Sequence, residues 1–211
     1  INMLVGAMMK PHEQKLKTLE KKIDSFKVKI SDTSKLKNTF SQLQDSMKAI
    51  EKNQITPLSV DKLKEAFKKF VTDYNAAATA AKKNVDYALE SDFSSLRRAL
   101  DPVAANKLGI NFDKNGIASF EPSKIDALNS NDPVELHNYV NSFFDNALSP
   151  NLPFNRLIET GGSLDYRKDI LNQKVSKLEK ERDALNSKME IYKKSYLQQF
   201  TNLQNILTQL N

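Results

Sequence analysis

The sequence predicts a mainly α protein in which long N- and C-terminal helices pair antiparallel, coiled-coil-like, and carry between them shorter helices and a small β-hairpin. Three observations predict it. Leu171, Val175, Leu178, Leu185, Met189, Tyr192, Tyr196, Phe200, Leu203, Leu207 and Leu210 keep a helical 3,4 spacing in which Arg182 fills the one gap and no Gly or Pro intervenes. About 40 residues at 1.5 Å each make a helix of roughly 60 Å, whose single apolar stripe has to be buried along another long helix. A matching stripe stands at the other end of the chain, in Leu16, Leu19, Ile23, Phe26 and Ile30, continued by Leu36, Phe40, Leu43, Met47 and Ile50. Between the stripes, residues 108 to 121 change to the glycine-flanked alternation of a hairpin.

Taken in order, the first helix is expected from about Pro11 and His12 to Lys52. Its two seams are out of step, because Ile30 and Leu36 are six residues apart where a heptad needs seven, and Ser31-Asp32-Thr33-Ser34 compete for backbone hydrogen bonds. That predicts overwinding or a break. Thr56-Pro57-Leu58 reads as a breaker and Ser59 as the N-cap of a helix to about Asn84, with Leu63, Phe67, Phe70, Tyr74, Ala77 and Ala81 on one face. A short helix over about 94 to 100 ends at Asp101-Pro102. Ile110 and Phe112, then Ile117 and Phe120, are strands around the turn Asp113-Lys114-Asn115-Gly116. Glu121-Pro122 and Asp132-Pro133 each set a cap before a proline, starting helices at about 122 to 129 and 133 to 147. Residues 149 to 162 read as a loop, and the last helix follows. The division into domains is 1–56 for the first helix, 57–162 for the middle, and 163–211 for the closing helix.

Composition narrows the function. A hydrophobic fraction of 39% and a mean hydropathy of −0.55 suit an elongated, surface-rich molecule more than one compact core. The net charge of +6 brings nucleic acid to mind, yet only five of 32 basic residues are Arg, and the lysines are interleaved with acids as in Lys177-Leu178-Glu179-Lys180-Glu181-Arg182. Solvated helix faces are the expectation, with no nucleic-acid partner. No apolar run is long enough to span a membrane, no cysteine offers a disulfide or thiolate site, and the opening residues lack the basic region of a secretory signal. Because position 1 is not Met, the sequence is expected to begin inside a longer chain.

Candidate chemistry is sparse. Asn111-x-Asp113-x-Asn115-Gly116 approaches a calcium loop, but its twelfth place holds Pro122 where the bidentate Glu belongs, so a hairpin turn without metal is expected. His12 and His137 are the only histidines, and neither has a recognisable metal or general-base partner in the sequence. No nucleophile elbow or phosphate-binding glycine loop is present among five glycines, so the reading is no enzyme, no catalytic residues and no cofactor. The helically spaced aromatics Phe67, Phe70, Tyr74, Tyr192, Tyr196 and Phe200 are expected in the core, with a subunit seam as the alternative. The residues expected to carry helix packing and assembly are Leu16, Leu19, Ile23, Phe26, Leu185, Met189, Tyr192, Tyr196, Phe200, Leu203 and Leu207.

The order of the pieces then adds a resemblance. Phe70-Val71-Thr72-Asp73-Tyr74-Asn75, Leu108-Gly109-Ile110 before Asp113-Lys114-Asn115-Gly116, and Ser123-Lys124-Ile125-Asp126-Ala127-Leu128 resemble the flagellar filament-capping family (FliD, hook-associated proteins). Gly162-Ser163-Leu164 opening a long helix, and Tyr196-Leu197-Gln198-Gln199-Phe200-Thr201-Asn202-Leu203 near its close, look like that family's C-terminal helix, and Leu4-Val5 with Met8-Met9 like its N-terminal one. The likeness spans nearly the whole chain. It departs where members usually insert a large β-rich region, since only about Asn53 to Ser59 stand there, and where members add a polar tail.

What the resemblance implies is a leg domain, with Phe70, Tyr74, Asn75, Gly109 and Gly116 as its motif, carried on the paired terminal helices. It also implies an extracellular subunit at the flagellum tip, exported by the flagellar type III pathway without a cleaved signal. Its implied partners are copies of itself in a ring-like homo-oligomer, flagellin, hook–filament junction proteins and an export chaperone. The alternatives are another axial subunit, flagellin-like or from the junction, and a basic coiled-coil scaffold of the cytoplasm.

Overall fold

The structure is a computed structural model that describes residues 2–52, 59–83 and 87–210. The chain is mainly α with one small antiparallel hairpin. Its elements are α1 (Asn2–Lys52), α2 (Val60–Lys83), α3 (Tyr87–Ala99), α4 (Pro102–Leu108), β1 (Ile110–Phe112), β2 (Ala118–Phe120), α5 (Pro122–Asn131), α6 (Pro133–Phe144), α7 (Pro153–Ile158) and α8 (Ser163–Gln209). They form two compact units, one of residues 1–32 with 168–211 and one of residues 33–167. The division between these units falls inside α1, at Asp32. The expected breaker at 56–58 and the expected helix end at Asn84 lie outside the described residues.

For α1 the expected start is corrected, and of the overwinding or break expected between Ile30 and Leu36 the break is absent. The helix begins at Asn2, with Pro11 inside it. An interior proline costs about 3 kcal/mol, and here the preceding turns are held by Val5 and Met9, which continue the 3,4 spacing of Leu16 and Leu19 and are buried at 4% and 5% exposure. The helix also runs unbroken through residues 31–34. Six residues at 100° each fall about 120° short of two turns, so the stripe changes face while the helix continues, and each half serves its own unit.

In the 33–167 unit, Leu36, Phe40, Leu43, Met47 and Ile50 of α1 are buried in one core with Phe67, Phe70 and Tyr74 of α2, Leu96 of α3, Leu108 of α4, Phe143 and Phe144 of α6 and Phe154 of α7. The rings interlock. Phe40 meets Phe93 at 5.8 Å and Phe154 at 5.4 Å, and Phe70 meets Phe143 and Phe144 edge-on at 5.7 and 5.3 Å, separations at which aromatic pairs add to their burial. Buried Asn155 ties the 147–149 segment to α1: its amide nitrogen donates to the Ala147 and Ser149 carbonyls at 2.9 and 2.8 Å, and its oxygen accepts from Gln44 at 3.0 Å.

The short helices are set by their caps. Ser59 Oγ accepts from the Lys62 amide at 3.4 Å ahead of α2. Asp132 accepts from the Val134 and Glu135 amides at 3.0 and 2.9 Å, as an N-cap before proline should. Glu121 makes no such bond; its longer side chain takes the Ser123 hydroxyl instead. At Asp101-Pro102 the sequence reading saw only an ending, whereas Asp101 Oδ1 also accepts from Val103 and Ala104 and opens α4. The predicted loop at 149–162 contains α7, and the helix expected over 94–100 starts earlier, at Tyr87.

Candidate functional site

Within the 1–32 and 168–211 unit, α1 and α8 run antiparallel: His12 packs on Tyr192 at 5.1 Å between ring centroids, Lys174 Nζ lies 5.7 Å above the Phe26 ring, and Lys27 pairs with Glu179 at 2.8 Å. Leu19, Ile23, Leu171, Val175 and Leu185 are buried in this seam, and Leu16, Phe26 and Met189 are half-buried. Alternating large residues at 3,4 spacing from both helices put the apolar side chains along one line of contact.

Toward its C-terminal end α8 loses this cover. Tyr196 and Phe200 are half-buried, so Phe200 is not the largely buried position that its place in the repeat suggests. Leu203, Leu207 and Leu210 stand 51%, 55% and 78% exposed, and Tyr192 is exposed beside His12. Asn2, Val5 and Met9 of α1 line a groove with Met189, Lys193 and Leu197 of α8. In the last two turns of α8, Leu203, Ile206 and Leu207 are exposed.

The two sides of the seam differ in charge. On one side Phe26 lies between Lys29, 5.4 Å from its centroid, and Lys174, and a groove of about 480 Å³ is lined by His12, Lys15, Glu181, Ala184, Leu185, Lys188 and Tyr192. On the other, the Lys27–Glu179 pair is joined by Arg182, which donates two hydrogen bonds to Asp183 at 2.9 and 2.7 Å. That bond to Asp183, with the nearby Glu179 and Glu20 charges, raises the Arg182 pKa. Arg182 thus fills its gap in the apolar spacing as a half-buried stem with its charge engaged.

In the 33–167 unit, two of the segments that carry the sequence resemblance, Phe70 to Asn75 and the hairpin region from Leu108 through Gly116, meet at one place. β1 and β2 pair with Ile110 opposite Phe120, Asn111 opposite Ser119 and Phe112 opposite Ala118. Two strands of three residues would be unstable alone; α2 covers them. Asn75 acts as a bracket, its amide donating to the Ala118 carbonyl at 2.8 Å and its oxygen accepting from the Ala118 amide at 2.7 Å. Tyr74 meets Phe112 at 5.2 Å, and Phe67 meets Phe120 at 5.9 Å.

Gly109 ends α4 at φ +84° with its amide on the Ala105 and Asn106 carbonyls, and a methyl group there would come within 2.4 Å of the Glu121 carbonyl oxygen. Gly116 lies at φ +75° in the turn. Asp113 Oδ1 accepts from the Asn115 and Ile117 amides, both at 2.8 Å, so the carboxylate that resembles a calcium ligand closes the turn. Arg97 over Phe112, Lys82 donating to the Asn115 carbonyl, and Asn155 are contacts that the sequence reading missed. Nothing in their spacing distinguishes them from surface residues.

Comparison with known protein families, curated proteins and solved structures finds no match in any of the three. No helix among the described residues is long and apolar enough to cross a membrane.

Proposed function

We propose that this chain is a structural subunit of the cap at the distal end of a bacterial flagellar filament, which holds and guides flagellin as it folds and inserts. The observation that carries the reading is that two stretches distant in sequence, Phe70 to Asn75 and the hairpin region running on from Leu108 through Gly116, both resembling the filament-capping family, are held together by the Asn75 bracket on Ala118. The antiparallel pairing of α1 and α8 adds support, since long terminal helices packed on each other are what the resemblance implies.

On this reading the protein is extracellular, exported through the flagellar type III channel, and its partners are further copies of itself in a ring and flagellin. It performs no catalysis. A heterologous contact between neighbours closes into a ring when its rotation closes and otherwise gives a fibre, which separates a cap from a flagellin-like subunit. The test is deletion of the gene in the cell that makes the protein. Flagellin is then released into the medium while filaments are short or missing and swimming is lost; filaments of normal length in the deletion strain contradict the proposal.

A further inference from the structure

The charge of this molecule is unevenly placed. Of its 32 Lys and Arg, 15 lie in residues 1–32 and 168–211 with nine Asp and Glu, whereas residues 33–167 hold 17 of each. The whole excess of +6 therefore belongs to the helix pair. It is also concentrated on one side of that pair. Lys15, Lys22 and Lys29 repeat at seven residues on α1, so each is turned only about 20° from the last and they form one row. Lys29 and Lys174 share the Phe26 ring, and Lys15 and Lys188 line the same groove, which places the α8 lysines beside that row. Lys177 lies 11 residues, close to three full turns, before Lys188 and joins the same side. All six are exposed, and Glu181 is the one acid lining the groove beside them.

We propose that this lysine face is a docking surface for an acidic α-helix of another protein, laid along the groove between α1 and α8. The spacing argues for a helix. The α1 lysines recur about every 10.5 Å, the rise of one heptad, and a helix with Glu or Asp at every seventh position meets each of them in register. A nucleic acid presents a phosphate charge about every 1.7 Å of duplex and gains nothing from a heptad period, and this face uses lysine where bidentate phosphate contacts favour Arg. A membrane surface calls for apolar side chains that insert, whereas Phe26 is held under Lys29 and Lys174. The helix pair of a second copy laid along this groove brings the same lysine row and is repelled at this face. This inference does not depend on the cap proposal.

The test uses the full chain and a synthetic helix of about four heptads with Glu at every seventh position, long enough to be helical in water. A peptide of identical composition with the Glu period scrambled is the control, alongside duplex DNA, phosphatidylglycerol vesicles, and sedimentation of the protein alone. The heptad peptide is expected to bind, to weaken steeply as salt rises, and to lose about tenfold in affinity when Lys15→Glu and Lys188→Glu are combined, with a smaller loss for Lys15→Gln and Lys188→Gln. Lys10→Glu with Lys17→Glu, on the outer side of α1, should change affinity less than about twofold. Because these side chains are exposed, the variants should keep their helix content by circular dichroism. Equal binding of the scrambled peptide, no loss on charge reversal, tighter binding of DNA or vesicles through the same lysines, or self-association that depends on them would each overturn the proposal.

Discussion

Replacing Tyr74 with Phe isolates one atom. The Tyr74 ring is fully buried against Phe70, Phe93 and Phe112, with centroids 6.0, 5.4 and 5.2 Å away, and its hydroxyl is buried with no hydrogen-bond partner among the described residues. An unsatisfied buried hydroxyl costs about 1 to 3 kcal/mol, so Tyr74→Phe keeps the ring contacts and should gain roughly 1 kcal/mol at neutral pH. The alkaline limb is more diagnostic. Burial pushes the Tyr74 pKa up to about 12, opposed by the positive charge of Arg97, whereas in the unfolded chain it lies near 10. Above pH 10 the unfolded state releases a proton that the folded state retains, so the unfolded state binds fewer protons and stability falls as pH rises. The contribution is intact below about pH 10 and lost by about pH 12. Two pKa units at 1.36 kcal/mol each set its ceiling near 2.7 kcal/mol. Urea unfolding of both proteins, followed by circular dichroism across that range, should show the variant's advantage widening by up to that amount. A variant that is less stable at pH 7, or an advantage that stays constant from pH 9 to 12, would refute the reasoning.

Asn75→Ala strips the Ala118 amide and carbonyl of their partners at a buried residue and should cost about 2 to 4 kcal/mol, read from the urea midpoint. Gly109→Ala should destabilise more than Gly116→Ala: both positions have positive φ, worth about 1 to 2 kcal/mol to an L residue, but only at Gly109 does the new methyl meet a backbone oxygen, whereas at Gly116 it meets the end of the flexible Arg97 side chain. Leu185→Ala should cost about 2 to 3 kcal/mol in the isolated chain, and Phe200→Ala, at a half-covered position, less than about 2. Equal losses for Leu185 and Phe200 in differential scanning calorimetry would mean that α8 is covered further along than its contacts with α1 indicate.

The periodic parts of this fold were open to reading because period alone determines them. The seams of α1 and α8, the face of α2 and the hairpin around Asp113 each repeat a spacing that only one element satisfies. The errors share a different cause. A six-residue step from Ile30 to Leu36 looks the same whether a helix breaks or its packing partner changes side, and only the core around Phe40 tells which. Asp101-Pro102 carries the same signature as Asp132-Pro133, an N-cap ahead of a proline, but the residue before a proline also ends a preceding helix, so with a helix on its N-terminal side the dipeptide fits an ending as well as a start. α7 begins after Leu152 with no side-chain cap, so nothing local announces it. The Asn75 bracket spans 43 residues, and the Asn155 contact with Gln44 spans 111. Contacts that distant leave no mark in local sequence.

The central proposal is that the subunit assembles into a closed ring and that the C-terminal part of α8 takes part in it. Electron microscopy of the purified full-length protein, beside a form truncated before Met189 that lacks Tyr192, Tyr196, Phe200, Leu203 and Leu207, tests it most directly. The account predicts closed rings from the full-length protein and single subunits from the truncated one. Open helical fibres from the full-length protein, or closed rings from the truncated one, would contradict it.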